Sequence, residues 1–261
     1  TYNDGSFFRG HWYRGKRKGS GSMFWTSGAR YEGDYEDDVP HGVGVYLFPS
    51  GTIFHGHFVK GIINGYGEFY WKCGIIYEGA WVNNQIHGPG MMIFPNGDTY
   101  EGNWKDDDFN GKGKFTWGTG EIYQGVFLDG RPHFKGKYQC KTMTYKGNFL
   151  RGMAEGQGKF WLKNGDGYEG EVRKWKWHGR GQLTKTDGSI YRGGFENSKM
   201  AGKGVMSMSD GTKLFGTWMD GKLEGRAEMV SPKGEILKGV WKRGQLREDA
   251  YLVAQKKLKG I

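Results

Sequence analysis

Residues 97–117 read GDTYEGNWKDDDFNGKGKFTW, four glycines and five aromatic residues with no helical period. The pair Gly111 and Gly113 has the look of a phosphate-binding loop. A P-loop, however, needs G-x-x-x-x-G-K-[ST], and a dinucleotide fold needs a third glycine that opens a helix. Neither pattern follows here, and the same G-x-G returns at one phase along the chain: Gly19/Gly21, Gly42/Gly44, Gly65/Gly67, Gly88/Gly90, Gly156/Gly158, Gly179/Gly181 and Gly202/Gly204. A motif repeated at a fixed period is architecture, and the period has to be read before any site.

The period is 23 residues. Glycines stand at 5, 28, 51, 74, 97 and 120, and after one slip at 165, 188, 211 and 234. Three residues after each comes an aromatic or a leucine, as at Tyr31, Tyr77, Tyr100, Tyr123, Tyr168 and Leu214. Glycine follows two positions later, then a second large residue such as Tyr35, Trp81, Trp104, Phe127 or Trp218. The skipped unit reads Tyr145, Gly147, Phe149 and lies 22 residues after Tyr123, so the 131–142 segment has lost one residue. Beyond each G-x-G, large apolar residues alternate: Tyr46/Phe48, Phe69/Trp71, Met92/Phe94, Phe115/Trp117. Period two places them on one face of a strand. Each unit is therefore expected to be a strand, a short polar turn (residues 105–110 in the quoted unit), a second strand, and a glycine turn into the next hairpin. A lone hairpin is barely stable in water. Stacked hairpins that share one aromatic stripe form a stable array.

This pattern resembles the MORN repeat family (membrane occupation and recognition nexus), whose core is Y-E-G-x-W-x-x-x-x-x-x-G-x-G. Tyr77-Glu78-Gly79-Ala80-Trp81 and Tyr100-Glu101-Gly102-Asn103-Trp104 carry the likeness, which extends over residues 5–245 as ten full units and one half unit. The expected fold is all-β, an elongated single-layer antiparallel sheet of about ten stacked 23-residue hairpins, roughly 100 Å long at ~4.8 Å per strand. The domain reading is a repeat array over 1–245, its start truncated, and a cap over 246–261. There Leu246, Ala250, Val253 and Leu258 recur at helical spacing, with acids early and lysines late, which predicts a short C-terminal amphipathic helix.

Composition limits the function classes. The net charge of +10 is uneven. Residues 1–130 carry 11 Lys/Arg against 15 Asp/Glu, whereas residues 131–261 carry 27 against 13. A basic half suggests an anionic counterpart. Cys73 and Cys140 are isolated, a poor basis for a disulfide framework or zinc site and a fit to a reducing compartment. His41, His87, His133 and His178 share one phase, and the acidic runs 36–38 and 106–108 share another. They read as turn residues, not as metal ligands or a carboxylate pair, because a general acid needs a partly buried cleft. No enzyme, cofactor or metal site is expected.

Two binding surfaces are expected. The stripe formed by Tyr77, Trp81, Tyr100, Trp104, Phe115, Trp117, Tyr123 and Phe127 is a candidate cradle for a partner's helix or peptide. The basic, tryptophan-bearing turn Arg173, Lys174, Trp175, Lys176 and Trp177, with Lys256 and Lys257, is a candidate for anionic lipid. Nucleic acid is disfavoured, since the repeat offers no base-reading element. The resemblance implies a non-enzymatic scaffold of the cytoskeleton or cilium, cytoplasmic, homodimeric, and binding a protein segment along the sheet. The alternative is a peripheral membrane module that recognises anionic phospholipids through the basic half.

Overall fold

A computed structural model of the chain describes residues 1–247 and the backbone of 251–253. Every described element is a strand. Contacts divide the chain into two compact units, residues 1–131 and 132–261. The first holds β1 (Phe7–Tyr13), β2 (Lys16–Phe24), β3 (Arg30–Glu36), β4 (Val39–Leu47), β5 (Ile53–Val59) and β6 (Ile62–Tyr70). It continues with β7 (Ile76–Val82), β8 (Gln85–Ile93), β9 (Thr99–Lys105), β10 (Asp108–Thr116) and β11 (Ile122–Leu128). Each pairs antiparallel with the next, from β1–β2 through to β10–β11.

The second unit holds β12 (Arg131–Gln139) from its second residue on, β13 (Met143–Leu150), β14 (Met153–Leu162), β15 (Gly167–Arg173), β16 (Lys176–Thr184) and β17 (Ile190–Glu196). After these come β18 (Lys199–Ser207), β19 (Lys213–Met219), β20 (Lys222–Val230), β21 (Ile236–Lys242), β22 (Gln245–Leu246) and β23 (Tyr251–Val253). Here too, each strand from β12 to β21 pairs antiparallel with its successor. The helix expected over 246–261 is not seen. Leu246 lies on a strand opposite Trp241, and Tyr251–Val253 runs antiparallel to Ile236–Lys238. Helical periodicity in a short segment yields when an open sheet edge offers backbone hydrogen bonds. The rest of that stretch, with Lys256 and Lys257, lies outside the described residues.

Two kinds of turn alternate. Within a hairpin the turn is only two residues, both at positive φ: Asp37-Asp38, Asn83-Asn84 and Asp106-Asp107. This is the type I′ geometry, whose twist matches that of the strands and which Asn, Asp and Gly tolerate. The expected turn 105–110 thus shrinks to Asp106 and Asp107, and His41 and His87 fall in strands, not in the turn. Between hairpins, five residues such as 117–121 close with Trp117 N–H on the Glu121 carbonyl and Gly120 N–H on the Trp117 carbonyl. The deleted residue leaves its mark after β12, where Cys140 N–H reaches the Met143 carbonyl in a turn one residue tighter.

Candidate binding faces

In each unit, one face of the sheet carries the stripe. Tyr31, Tyr77, Tyr100, Tyr145 and Tyr191 have no solvent exposure, and Trp81 and Trp104 retain 4%. Each tyrosine ring lies over two glycines that face one another on adjacent strands, as Tyr100 does over Gly102 and Gly113. A Cβ at either glycine would stand 2.6 or 2.5 Å from the Tyr100 hydroxyl. The hydroxyl donates to the carbonyl three residues on: Tyr77 to Ala80 at 3.0 Å, Tyr100 to Asn103 at 2.7 Å, Tyr145 to Asn148 at 2.9 Å. Edge-to-face contacts then join the rings. Tyr77 meets Trp81 at 5.4 Å in its own unit and Trp104 at 5.3 Å in the next, a favoured aromatic geometry. Burial raises the phenol pKa values throughout, up to about 12 at Tyr145 and Tyr191 and further at Tyr77 and Tyr100.

Of the eight residues expected to cradle a partner, Tyr77, Trp81, Tyr100, Trp104, Tyr123 and Phe127 are buried against the sheet itself. Phe115 and Trp117 are only half-buried. They continue a half-buried row made by Tyr46, Phe48, Phe69, Trp71 and Phe94. The period-two pattern beyond each G-x-G marks this rim in the sequence, although nothing in it distinguishes rim from core.

The basic turn divides in two. Arg173, Lys174 and Lys176 are exposed. Trp175 instead packs over Tyr145 at 5.5 Å and Phe149 at 5.7 Å, and Trp177 stacks on Tyr168 at 4.7 Å and 4°. Both tryptophans belong to the stripe. Trp175 does so from a backbone at φ +67°, where a bulky residue is an outlier.

The opposite face holds charge that the half-by-half count could not localise. The middle residue of G-x-G points there, and from the fifth repeat on it is Lys112, Lys135, Gln157, Arg180, Lys203 and Arg226. In the second unit Lys137, Lys146 and Lys159 also stand directly opposite one another on β12, β13 and β14. Lys159 has Glu169 at 2.8 Å. Like charges paired across strands destabilise a sheet.

Among the described residues no group of three or more His, Cys, Asp or Glu could hold a metal, and no helix is long and apolar enough to cross a membrane. The histidines make exposed contacts, His41 with Glu36 at 3.6 Å and His87 with Asp106 at 3.5 Å.

The family model of the MORN repeat matches residues 8–30, 31–53, 54–72, 77–99, 100–122, 123–142, 145–167, 168–190, 191–213 and 215–236. No curated protein matches the chain in sequence. Among solved structures, the TCP10 domain of Danio rerio CPAP in complex with a STIL peptide is similar at 12% identity and a TM-score of 0.34, covering 95% of this chain and 97% of that one. The SAS-4 (dCPAP) TCP domain of Drosophila melanogaster, in complex with a proline-rich motif of Ana2, is similar at 16% and 0.38, covering 63% and 95%. Virginiamycin B lyase from Staphylococcus aureus is similar at 9% and 0.15, covering 89% and 88%. With TM-scores below 0.5, none of the three bears on what this chain does.

Proposed function

The chain belongs to the MORN repeat family, and from that premise we propose that it is a non-enzymatic scaffold that holds a partner protein's helix or peptide along the aromatic rim of its first unit. One observation carries this reading: a row of half-buried rings in two groups, Tyr46, Phe48, Phe69 and Trp71, then Phe94, Phe115 and Trp117, beside a fully buried stripe. Aromatic surface fixed by a packed core offers large contact area at little entropic cost, the property of interface anchors. The partner is sought among cytoskeletal or ciliary proteins, with the chain in the cytoplasm and paired with a second copy.

The test is a pull-down from native cytoskeleton with crosslinking mass spectrometry, using wild type and the double variant Phe115→Ala/Trp117→Ala. The variant should lose the captured partner while keeping its melting temperature. Capture that survives intact rejects the rim as the binding row, and light scattering on the same samples decides the dimer. The competing membrane reading rests on Arg173, Lys174 and Lys176. It predicts co-sedimentation with anionic liposomes that is lost on charge reversal at the three and on raising salt.

A further inference from the structure

The face opposite the stripe contains a trough across β18–β21 in the second unit, with a volume of about 700 Å³. Its floor is backbone, because Gly204, Gly216 and Gly239 alternate with the wall residues and face the stripe side of the sheet. Its walls are two rows of side chains one pleat apart, roughly 7 Å for alternate residues of a strand. One wall supplies Val205 and Phe215, and Val240 adds apolar surface across from them. Phe215 and Val240 are 38% and 37% exposed, so this apolar lining faces solvent.

Charge decides what the trough accepts. Glu228 is taken by Lys238 at 2.6 Å. Lys203 and Arg226, on β18 and β20, line the same wall and have no acid partner among the described residues. Two strands apart, their bases stand on the order of 10 Å from each other. Carboxylates two residues apart on an extended chain share one side and stand about 7 Å apart at ~3.3 Å per residue, within reach of two long, flexible cationic side chains. A helix, at ~10 Å across, is too wide to enter between the walls. We propose that this trough is a second binding site, on the face of the second unit opposite its buried stripe, for an extended acidic peptide segment that alternates carboxylate and aliphatic side chains. Single-stranded nucleic acid fits less well, because it relies on stacked aromatic platforms and Phe215 is the trough's one ring. A bilayer surface fits less well because the cations flank a recess.

The experiment is fluorescence anisotropy with a labelled octapeptide alternating glutamate and leucine. A lysine–leucine octapeptide, oligothymidylate and phosphatidylserine vesicles serve as comparisons. The full chain should bind the acidic peptide in a salt-dependent manner and ignore the basic one. Lys203→Glu/Arg226→Glu should weaken binding at least about tenfold, the combined worth of two solvent-facing ion contacts, and Phe215→Ala should weaken it as well. Lys203→Gln/Arg226→Gln, with an unchanged circular dichroism spectrum, guards against misfolding. Phe115→Ala/Trp117→Ala should leave the affinity unaltered, which separates this site from the rim. The proposal is overturned if the acidic peptide fails to bind at low salt, or if binding persists in both double variants. It is also overturned if oligothymidylate or vesicles bind as tightly with the same dependence on Lys203 and Arg226.

Discussion

Gly111 and Gly113 stand two residues apart and are glycine for unrelated reasons. Gly111 has φ +76° and ample room, its nearest neighbour for a Cβ being Asn103 at 3.6 Å, so the backbone conformation demands it. Gly113 is extended, and the Tyr100 ring forbids a side chain. Alanine at either position should therefore destabilise, by about 1–2 kcal/mol at Gly111 and about 1–3 kcal/mol at Gly113. Asparagine, which tolerates left-handed φ, should recover much of the loss at Gly111 and worsen it at Gly113. Urea denaturation of the four variants checks the asymmetry. Tryptophan substitutions make a second contrast. The Trp104 Nε1–H donates to the Gly90 carbonyl at 3.3 Å, whereas the buried Trp81 Nε1 has no acceptor among the described residues. Alanine at either should cost about 3–5 kcal/mol. Phenylalanine should be better tolerated at Trp81 than at Trp104, as the same denaturation curves would show. The tyrosine, glycine and tryptophan positions were all legible in the sequence. That the two glycines differ was not, since φ and ring placement leave no mark on residue identity.

At the scale of the hairpin, the acidic tips clip one unit to the one before. The Asp107 carboxylate accepts the Ile86 N–H at 2.8 Å, Asn84 accepts from Ile63 at 2.9 Å, and Asp38 accepts from Arg17 at 2.9 Å. Read as sequence, these runs are solvated turns. In the fold each supplies an acceptor for a backbone donor 21 residues earlier, a link that local pattern cannot reveal. Asp107→Ala should cost about 1 kcal/mol, with Asp107→Asn close to neutral, by thermal melting. The Arg17 backbone N–H, with the Arg17 side chain adding to it, holds the Asp38 carboxyl below its usual range. A depressed folded pKa means that the stabilisation is present above the unfolded value, ~3.9, and is lost as pH falls through the folded one. Asp38→Asn should flatten the melting temperature of that step between pH 5 and 2. At the corresponding tip Trp175 has no acceptor to offer, and its ring covers Tyr145 and Phe149 instead. The sequence marks 173–177 as a departure but assigns its tryptophans to the surface. Ring packing puts them in the stripe.

Across the molecule, the buried tyrosines couple the array to alkaline pH. Their folded pKa values lie above the ordinary value of 10 because burial disfavours the phenolate, reaching about 12 at Tyr35, Tyr145 and Tyr191. A raised folded pKa gives stability that is complete below the unfolded value and lost as pH climbs through the folded one. Absorbance titration at 295 nm should show exposed phenols ionising near pH 10. The stripe tyrosines should ionise only together with loss of the circular dichroism signal, at or above about pH 12. Residue periodicity alone determined the repeat, its phase, the all-β class and the face on which the aromatic rings lie. It could do so because a side chain's face follows directly from an alternation of two. Three features were decided only by the tertiary structure: which rings stay half-exposed, which lysines stand side by side, and how Leu246 and Tyr251–Val253 pair with β21. Each depends on which strands lie side by side, so exposure of Phe115, the company of Lys203 and Arg226, and the strand at Tyr251–Val253 in place of a helix are properties of neighbours rather than of the local sequence.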